Sequence, residues 1–358
     1  MSYDLAAPQP GRGAGAVVRY VLGTALGIAV LVLLLGQRGE LEAARQQFRH
    51  LDVAWMAAAT AAEGTSLAAF GFLQHRVLRL AGARLALPGL LVLSLANDAI
   101  ANTLPGEPVV SGAYRYRYYR QRGVDSAGSG WSVFTVVVAQ AIGMSLFLLA
   151  GVAVAVLAST TVRVAGLAAA GFAVVLAAGA VLIRRDLLLR LAAAGARASR
   201  RITGRPRSGT LARIEAVLAR MQDIPLSAPS AASVVALSVC VWACDFLCLL
   251  CSVAAVHAAV PWDGVLLAYG AAQIVSSLPV VPGGLGIVEG SLAVILVAYG
   301  VARGPAISAA LAYRLVSFWL VVAMGWISVG LIAYQGRRRL GRPRPQAAPV
   351  KEPSPSQR

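Results

Sequence analysis

The chain has 358 residues, of which 58% are hydrophobic and 13% are charged, and its formal net charge is +17. This composition excludes an ordinary soluble domain and predicts an all-α polytopic membrane protein. The positive charge is attributed to cytoplasmic loops that contact anionic lipid head groups, not to nucleic-acid binding.

The first membrane half is predicted to cover residues 17–183, after a mobile Gly/Pro-rich N-terminal segment at residues 1–16. Its first apolar run is interpreted as a retained helix, because no signal-peptide cleavage pattern follows it. The second run carries Glu63 near its middle. The four predicted spans of this half are residues 17–36, 51–73, 131–158 and 162–183.

A helix break is predicted between the second and third of these spans. The apolar sequence that starts at Leu85 is uninterrupted only as far as Ala96, whereas about 20 residues are needed to cross a bilayer. We therefore predict a re-entrant segment near 87–110, interrupted at Pro105 and Gly106. Its polar side chains either line a hydrophilic groove or satisfy freed backbone groups. The candidate substrate contacts are Asn97, Asn102 and Glu107, with Asp98 between them in sequence.

A segment rich in tyrosine and arginine follows at residues 111–123. Arg115 and Arg117 are candidate phosphate contacts, since a guanidinium fork matches the oxygens of a phosphate. Tyr114 would brace them. The alternative is that these side chains only anchor the segment at the membrane–water interface.

The two membrane halves are separated by a basic cytoplasmic linker, residues 184–229, in which an amphipathic surface helix is expected at 210–221. The second half covers residues 230–335, and a disordered basic tail follows at 336–358. The predicted elements of the second half are helix 231–256 with Asp245, a re-entrant hairpin near 265–301, and helix 307–334 with Arg314.

The hairpin of the second half contains a second helix break. Prolines and glycines interrupt its apolar sequence and are taken as backbone devices; they are Pro279, Pro282, Gly283, Gly284 and Gly286. Glu289 follows one turn later, and a carboxylate at membrane depth indicates a functional site. Arg314 needs a partner within its apolar helix, for which Glu289 is the first candidate and Asp245 or Glu63 the alternatives. The pair either binds a lipid phosphate through Arg314 or only locks the helices together.

The distribution of arginine predicts the topology. Segments 74–84, 184–226 and 336–344 are placed in the cytoplasm, so the N- and C-termini are both predicted to be cytoplasmic. The two broken segments then enter the membrane from opposite faces. This arrangement predicts about six spanning helices plus two re-entrant helical hairpins in inverted repeats, as in secondary transporters.

Three motifs resemble a known family in the expected order. Residues 282–286 read Pro-Gly-Gly-Leu-Gly and precede Glu289; residues 111–119 contain Ser-Gly, then Arg-Tyr-Arg; residues 313–319 read Tyr-Arg-Leu-Val-Ser-Phe-Trp. Together they resemble the lysylphosphatidylglycerol synthase transmembrane, or flippase-like, family, in its multiple peptide resistance factor branch. The resemblance spans about residues 17–335.

The resemblance implies a membrane domain that moves a lipid, which full-length family members join to a soluble C-terminal synthase. The chain ends about 25 residues after its last predicted helix, so we expect it to lack the synthase. The predicted function is translocation of a phospholipid, aminoacylated or not, or a related lipid-linked anion across a bacterial-type cytoplasmic membrane. No catalytic motif, metal or cofactor is predicted, and the predicted partner is membrane phospholipid.

Other functions and partners stay open. The chain could be a membrane-embedded transferase that acts on a lipid-linked donor, with Glu289, Asp98 and Glu107 as available acids. It could also be a membrane subunit that scaffolds a separate synthase, or form a homo-oligomer.

Overall fold

The computed structural model describes residues 51–103, 107–158, 227–262, 264–276, 284 and 286–340. Several predicted elements lie outside these residues. They are the N-terminal segment, the spans at 17–36 and 162–183, the linker with its amphipathic helix, and most of the basic tail.

The described residues are helical and include no strand, which confirms the all-α prediction. A π-helical segment, Leu315–Leu320, joins the last two α-helices. In chain order the α-helices are α1 Val53–Leu80, α2 Leu87–Thr103, α3 Glu107–Gln121, α4 Ser126–Ala158, α5 Ala228–Ala255, α6 Val265–Ser276, α7 Ile287–Ala298, α8 Arg303–Arg314 and α9 Val321–Leu340.

Three stretches are long and apolar enough to cross a membrane: Ser126–Val154, Ala228–Ala255 and Arg303–Gln335. They correspond to α4, α5 and the continuous run from α8 to α9. Large apolar side chains such as Val294 and Ile327 are more than half exposed, as expected for a surface that faces lipid. The protein is therefore a membrane protein, and three of the predicted spans have the length and composition of a membrane helix.

The two halves of the described chain have the same order of elements: a long helix, a broken pair of short helices, and a second long stretch. Helices α1 and α5 pack against each other at the centre. The broken pairs pack across the halves, because α2 lies against α9 while α6 lies against α4. Each broken pair is thus supported by the last long helix of the other half.

Glycine permits both of these crossed contacts. A Cβ atom added at Gly325 on α9 would clash with the backbone oxygen of Leu95 on α2. On the other side, a Cβ at Gly151 of α4 would lie 3.2 Å from the side chain of Leu266 on α6. Small residues let transmembrane helix backbones approach closely, and the close approach increases van der Waals contact.

We expect Gly325→Ala to lower the free energy of unfolding by about 1–3 kcal/mol, because the backbone of α2 must move away from α9. Gly330→Ala on the same helix is the control, since an added Cβ meets no atom within 4 Å there. Unfolding of the purified protein by SDS titration measures both. Equal stability of the two variants would show that α2 and α9 do not meet at Gly325.

The structure corrects two predicted helix boundaries. Helix α1 was predicted to end at residue 73 but continues to Leu80, where Arg76 donates from Nε to the Ser233 hydroxyl at 3.1 Å. Helix α4 was predicted to start at residue 131 but starts at Ser126. Asp125 caps it, accepting from the backbone N–H groups of Ala127 and Gly128.

The tyrosine- and arginine-rich segment forms α3, which packs against α2 and α4. Tyr119 is fully buried and donates from Oη to Gln74 Oε1 of α1 at 2.8 Å. Gln74 Nε2 in turn donates to Ser94 Oγ of α2 at 2.8 Å. This buried network fixes three helices relative to one another, and it holds the first broken pair beside α1.

Candidate functional site

A polar cavity of about 210 Å³ lies where the helices of both halves meet. It is large enough for several water molecules or a small charged group. Its lining includes residues of both broken pairs, through α2 and α6. The polar and charged lining residues are Glu63, Ser66, Asp98, Asn102, Gln140, Asp245, Gln273, Tyr313, Arg314 and Ser317.

These side chains face inward for a physical reason. A polar or ionised side chain on a membrane helix costs several kcal/mol when it faces lipid, so it is directed to the protein interior or to a water-filled space. Helices α1 and α5 illustrate this, since each is otherwise rich in apolar residues and contributes one acid, Glu63 or Asp245, to the cavity.

Asp245 connects three helices. Tyr269 Oη and Gln273 Nε2, both on α6, donate to its Oδ2 at 2.6 and 2.7 Å. Tyr313 Oη on α8 donates to Oδ1 at 3.0 Å. Hydrogen bonds to a carboxylate are stronger than those between neutral groups, so this arrangement ties α5 to α6 and α8.

Glu63 on α1 lines the same cavity as Asp245 on α5, and these two helices pack against each other. Glu63 is only 7% exposed. Its Oε2 atom has no hydrogen-bond partner among the described residues. A buried polar atom without a partner in a cavity indicates that water or a ligand completes its shell.

The lining is acidic overall. Three carboxyl groups, those of Glu63, Asp98 and Asp245, share the cavity with the guanidinium of Arg314. Since Arg314 is already paired with Glu289, the electrostatic field in the cavity favours positive charge.

The pairing of Arg314 with Glu289 that the sequence favoured is present. Arg314 Nε donates to Glu289 Oε1 at 2.8 Å, and both side chains are about nine-tenths buried. The other oxygen, Oε2, accepts from the backbone N–H of Gly286 at 2.7 Å. The guanidinium also lies 4.2 Å from the centroid of the Phe318 ring. The pair therefore joins the start of α7 to the end of α8.

Two glycines of the predicted second break have a backbone conformation that favours glycine. Gly284 has φ of 61° and Gly286 has φ of 80°, which side chains rarely adopt. Gly286 is the residue immediately before α7. In this conformation the backbone N–H of Gly286 donates to the side chain of Glu289, in the first turn of the helix. The remaining predicted backbone residues lie outside the described part of the chain: Pro105, Gly106, Pro279, Pro282 and Gly283.

Arg115 is a second buried charge. It is 4% exposed, and its Nε and Nη1 atoms have no hydrogen-bond partner among the described residues. Its Cζ atom lies 5.9 Å from the centroid of the Phe70 ring, and Phe70 lines the cavity. Asp98 is a nearby acid. Arg115 therefore lies beside a residue of the cavity wall without lining the cavity itself.

Arg115 and Arg117 do not form one clamp, contrary to the expectation. Arg117 is exposed, whereas Arg115 is buried, because residues two apart on a helix point to opposite sides. Tyr114 is half-buried, on the same helix.

The structure also places the candidates of the first break. Asn102 lines the cavity and donates from Nδ2 to the backbone oxygen of Asp98 at 2.9 Å. Asn97 is buried outside the cavity lining, and its Oδ1 has no partner among the described residues. Glu107 begins α3, and its side chain lies outside the described part of the structure. Asn102 thus contacts the cavity, but Asn97 does not.

Several cavity residues were not among the predicted substrate contacts. Gln140 and Gln273 were missed, although a single glutamine within an apolar helix is itself a signal of an inward-facing site. Tyr313 and Ser317 belong to the motif at residues 313–319 but were not singled out. Among the described residues, no group of three His, Cys, Asp or Glu side chains is arranged to hold a metal ion.

These features define an α-helical membrane protein with a charged cavity lined by side chains from both of its halves. The family model for the lysylphosphatidylglycerol synthase transmembrane region matches residues 20–325. The chain therefore belongs to this family, as the three motifs indicated, and the family is one of membrane proteins involved in lipid handling. No curated protein sequence matches the chain at a significant level.

Proposed function

We propose that the protein translocates a phospholipid across the cytoplasmic membrane, with the head group passing through the charged cavity while the acyl chains stay in lipid. The observation that carries this proposal is the cavity itself, since it is acidic and is lined by side chains of the membrane helices. A purely structural bundle would not be expected to keep three carboxyl groups at such a place, because they are costly in a membrane.

The broken helix pairs support the same function. Each pair is a candidate re-entrant hairpin, with the interruption between α2 and α3 or between α6 and α7. Transporters built from inverted repeats place their binding sites near the bilayer midplane between such discontinuous helices. The crossed packing of α2 on α9 and α6 on α4 is the contact pattern that an inverted repeat would produce.

The charges suit a head group that carries both signs. The acids of the cavity would bind an ammonium group, as in an aminoacylated phospholipid, through Asp98 and Asp245. Arg115 would bind the phosphate, because its unpaired N–H groups lie behind Phe70 at the cavity wall. An aminoacylated phospholipid is therefore the favoured substrate class.

For the topology, we propose that both termini are cytoplasmic, because the distribution of arginine along the sequence places them on that side of the membrane.

Purified protein in liposomes tests the proposal. A labelled phospholipid is followed as an impermeant reductant bleaches the outer leaflet, with and without aminoacylation of the lipid. We expect Arg115→Gln to slow translocation at least about tenfold, equivalent to about 1.4 kcal/mol of barrier. Arg120→Gln is the control, since Arg120 is an exposed arginine of the same helix.

Two results would contradict this proposal. Unchanged translocation in Arg115→Gln would remove Arg115 as the phosphate contact. Protein-free rates in liposomes that contain the wild-type chain would reject translocation altogether. Turnover of a lipid-linked donor by the purified chain would instead favour a membrane-embedded transferase.

A further inference from the structure

We propose that Glu63 and Asp245 form a proton-exchange site, in which one proton is shared by the two carboxyl groups and is released to the water of the cavity. Its role in coupling lipid movement to a proton gradient rests on the proposed function. The site itself rests on the geometry of the two side chains.

The first argument is the closeness of two buried carboxyl groups. Glu63 and Asp245 line one small cavity from α1 and α5, the two helices that pack against each other at the centre. Two carboxylates this close in a buried place do not both ionise readily, and such pairs share one proton.

The second argument is that the two carboxyl groups accept hydrogen bonds from different numbers of donors. Asp245 accepts hydrogen bonds from Tyr269, Gln273 and Tyr313, so both of its oxygens are satisfied as a carboxylate. Glu63 has no comparable set, and its Oε2 atom has no partner among the described residues. The exchangeable proton therefore resides on Glu63, where the protonated carboxyl donates to Asp245.

The third argument is that an exit for the proton exists. Glu63 lines the cavity, which is large enough to hold water beside this residue. On release the proton passes from Glu63 to this water, and the pair changes from one negative charge to two. An ammonium group that enters the cavity stabilises the doubly ionised pair, so proton and cationic head group compete for the same carboxylates.

Other titratable and charged groups surround the pair and set how readily it exchanges the proton. Asp98 on α2 lines the same cavity and adds negative charge. Arg314 on α8 also lines it, and this guanidinium is paired with Glu289. The further titratable neighbours of Glu63 are Cys244 and Cys248 on α5 and Tyr313 on α8.

Infrared difference spectroscopy of the full chain in lipid nanodiscs, recorded between acidic and alkaline pH, tests the site directly. Labelling glutamate and then aspartate with carbon-13 shows which residue type carries the protonated carboxyl. We expect a glutamate band that is lost in Glu63→Gln, kept in Asp125→Asn and replaced by an aspartate band in Glu63→Asp. Asp125 is the control because it is an exposed acid that caps α4. A glutamate band that persists in Glu63→Gln would overturn the proposal.

Coupling is measured separately in liposomes, with a pH gradient or a sodium gradient imposed. We expect the pH gradient to accelerate lipid movement severalfold in the wild type and to have no effect in Glu63→Gln, while Glu63→Asp keeps part of the response. Acceleration by sodium alone would overturn coupling to protons. If the Glu63 band titrates while no lipid moves under any gradient, the proton site stands and the proposed function fails.

Discussion

Arg314→Met is expected to lower the free energy of unfolding by about 3–5 kcal/mol, because it leaves the Glu289 carboxylate buried without its partner. The backbone N–H of Gly286 still donates to this carboxylate. The α7 and α8 helices should loosen from each other, since the pair joins the start of one to the end of the other. SDS titration of the purified protein measures the loss.

A double variant separates the charge from the contact. Glu289→Gln with Arg314→Met removes both charges, while glutamine at position 289 still accepts from Gly286 in the capping arrangement. We expect the double variant to be more stable than Arg314→Met alone, because no buried charge is left without a partner. If the double variant loses the sum of the two single effects, the ion pair is not the interaction that joins these helices.

The Arg314–Glu289 pair was predictable from the sequence, for a reason specific to membranes. Few side chains within an apolar helix can compensate a buried guanidinium, so the number of candidate partners was small. The second break was predicted on a different ground, from the prolines and glycines that interrupt its apolar sequence, and of these Gly284 and Gly286 have positive φ.

Helix ends were less predictable because their hydrogen bonds are local and polar. An apolar pattern alone places the start of α4 at residue 131, but Asp125 accepts from two backbone N–H groups and starts the helix earlier. Likewise α1 continues to Leu80 through arginine-rich residues whose composition predicted a cytoplasmic loop. There Arg76 reaches Ser233 on α5, a contact between residues distant in sequence.

The composition of the cavity could not be read from the sequence because it depends on how each helix is rotated. Asn97 and Asn102 both looked like groove residues, yet Asn102 alone of the two lines the cavity. Arg115 and Arg117 are close in sequence but lie on opposite sides of α3. Tyr269 and Tyr313 meet at Asp245 only through the packing of α6 and α8 around α5.

Asp245→Ala is expected to have an effect of similar size to that of Arg314→Met, because it removes the acceptor of three buried donors. Tyr269 and Tyr313 are at most 5% exposed, so their hydroxyl groups cannot turn to solvent. A hydrogen bond to a charged group contributes about 1.5–3 kcal/mol, and an unsatisfied buried donor adds its own penalty. We expect a loss of at least about 3 kcal/mol in the SDS titration, with α5 loosened from α6 and α8.

The cysteines of α5 report this loosening independently. Cys248 is fully buried one turn after Asp245, whereas Cys240 is exposed. Mass spectrometry after alkylation should therefore show Cys240 modified in every variant and Cys248 modified rapidly in Asp245→Ala alone. Adding Tyr269→Phe and Tyr313→Phe should restore part of the stability, because this removes the two buried hydroxyl donors that have lost their acceptor. Protection of Cys248 in Asp245→Ala would mean that packing of the apolar side chains holds α5 in place without the carboxylate.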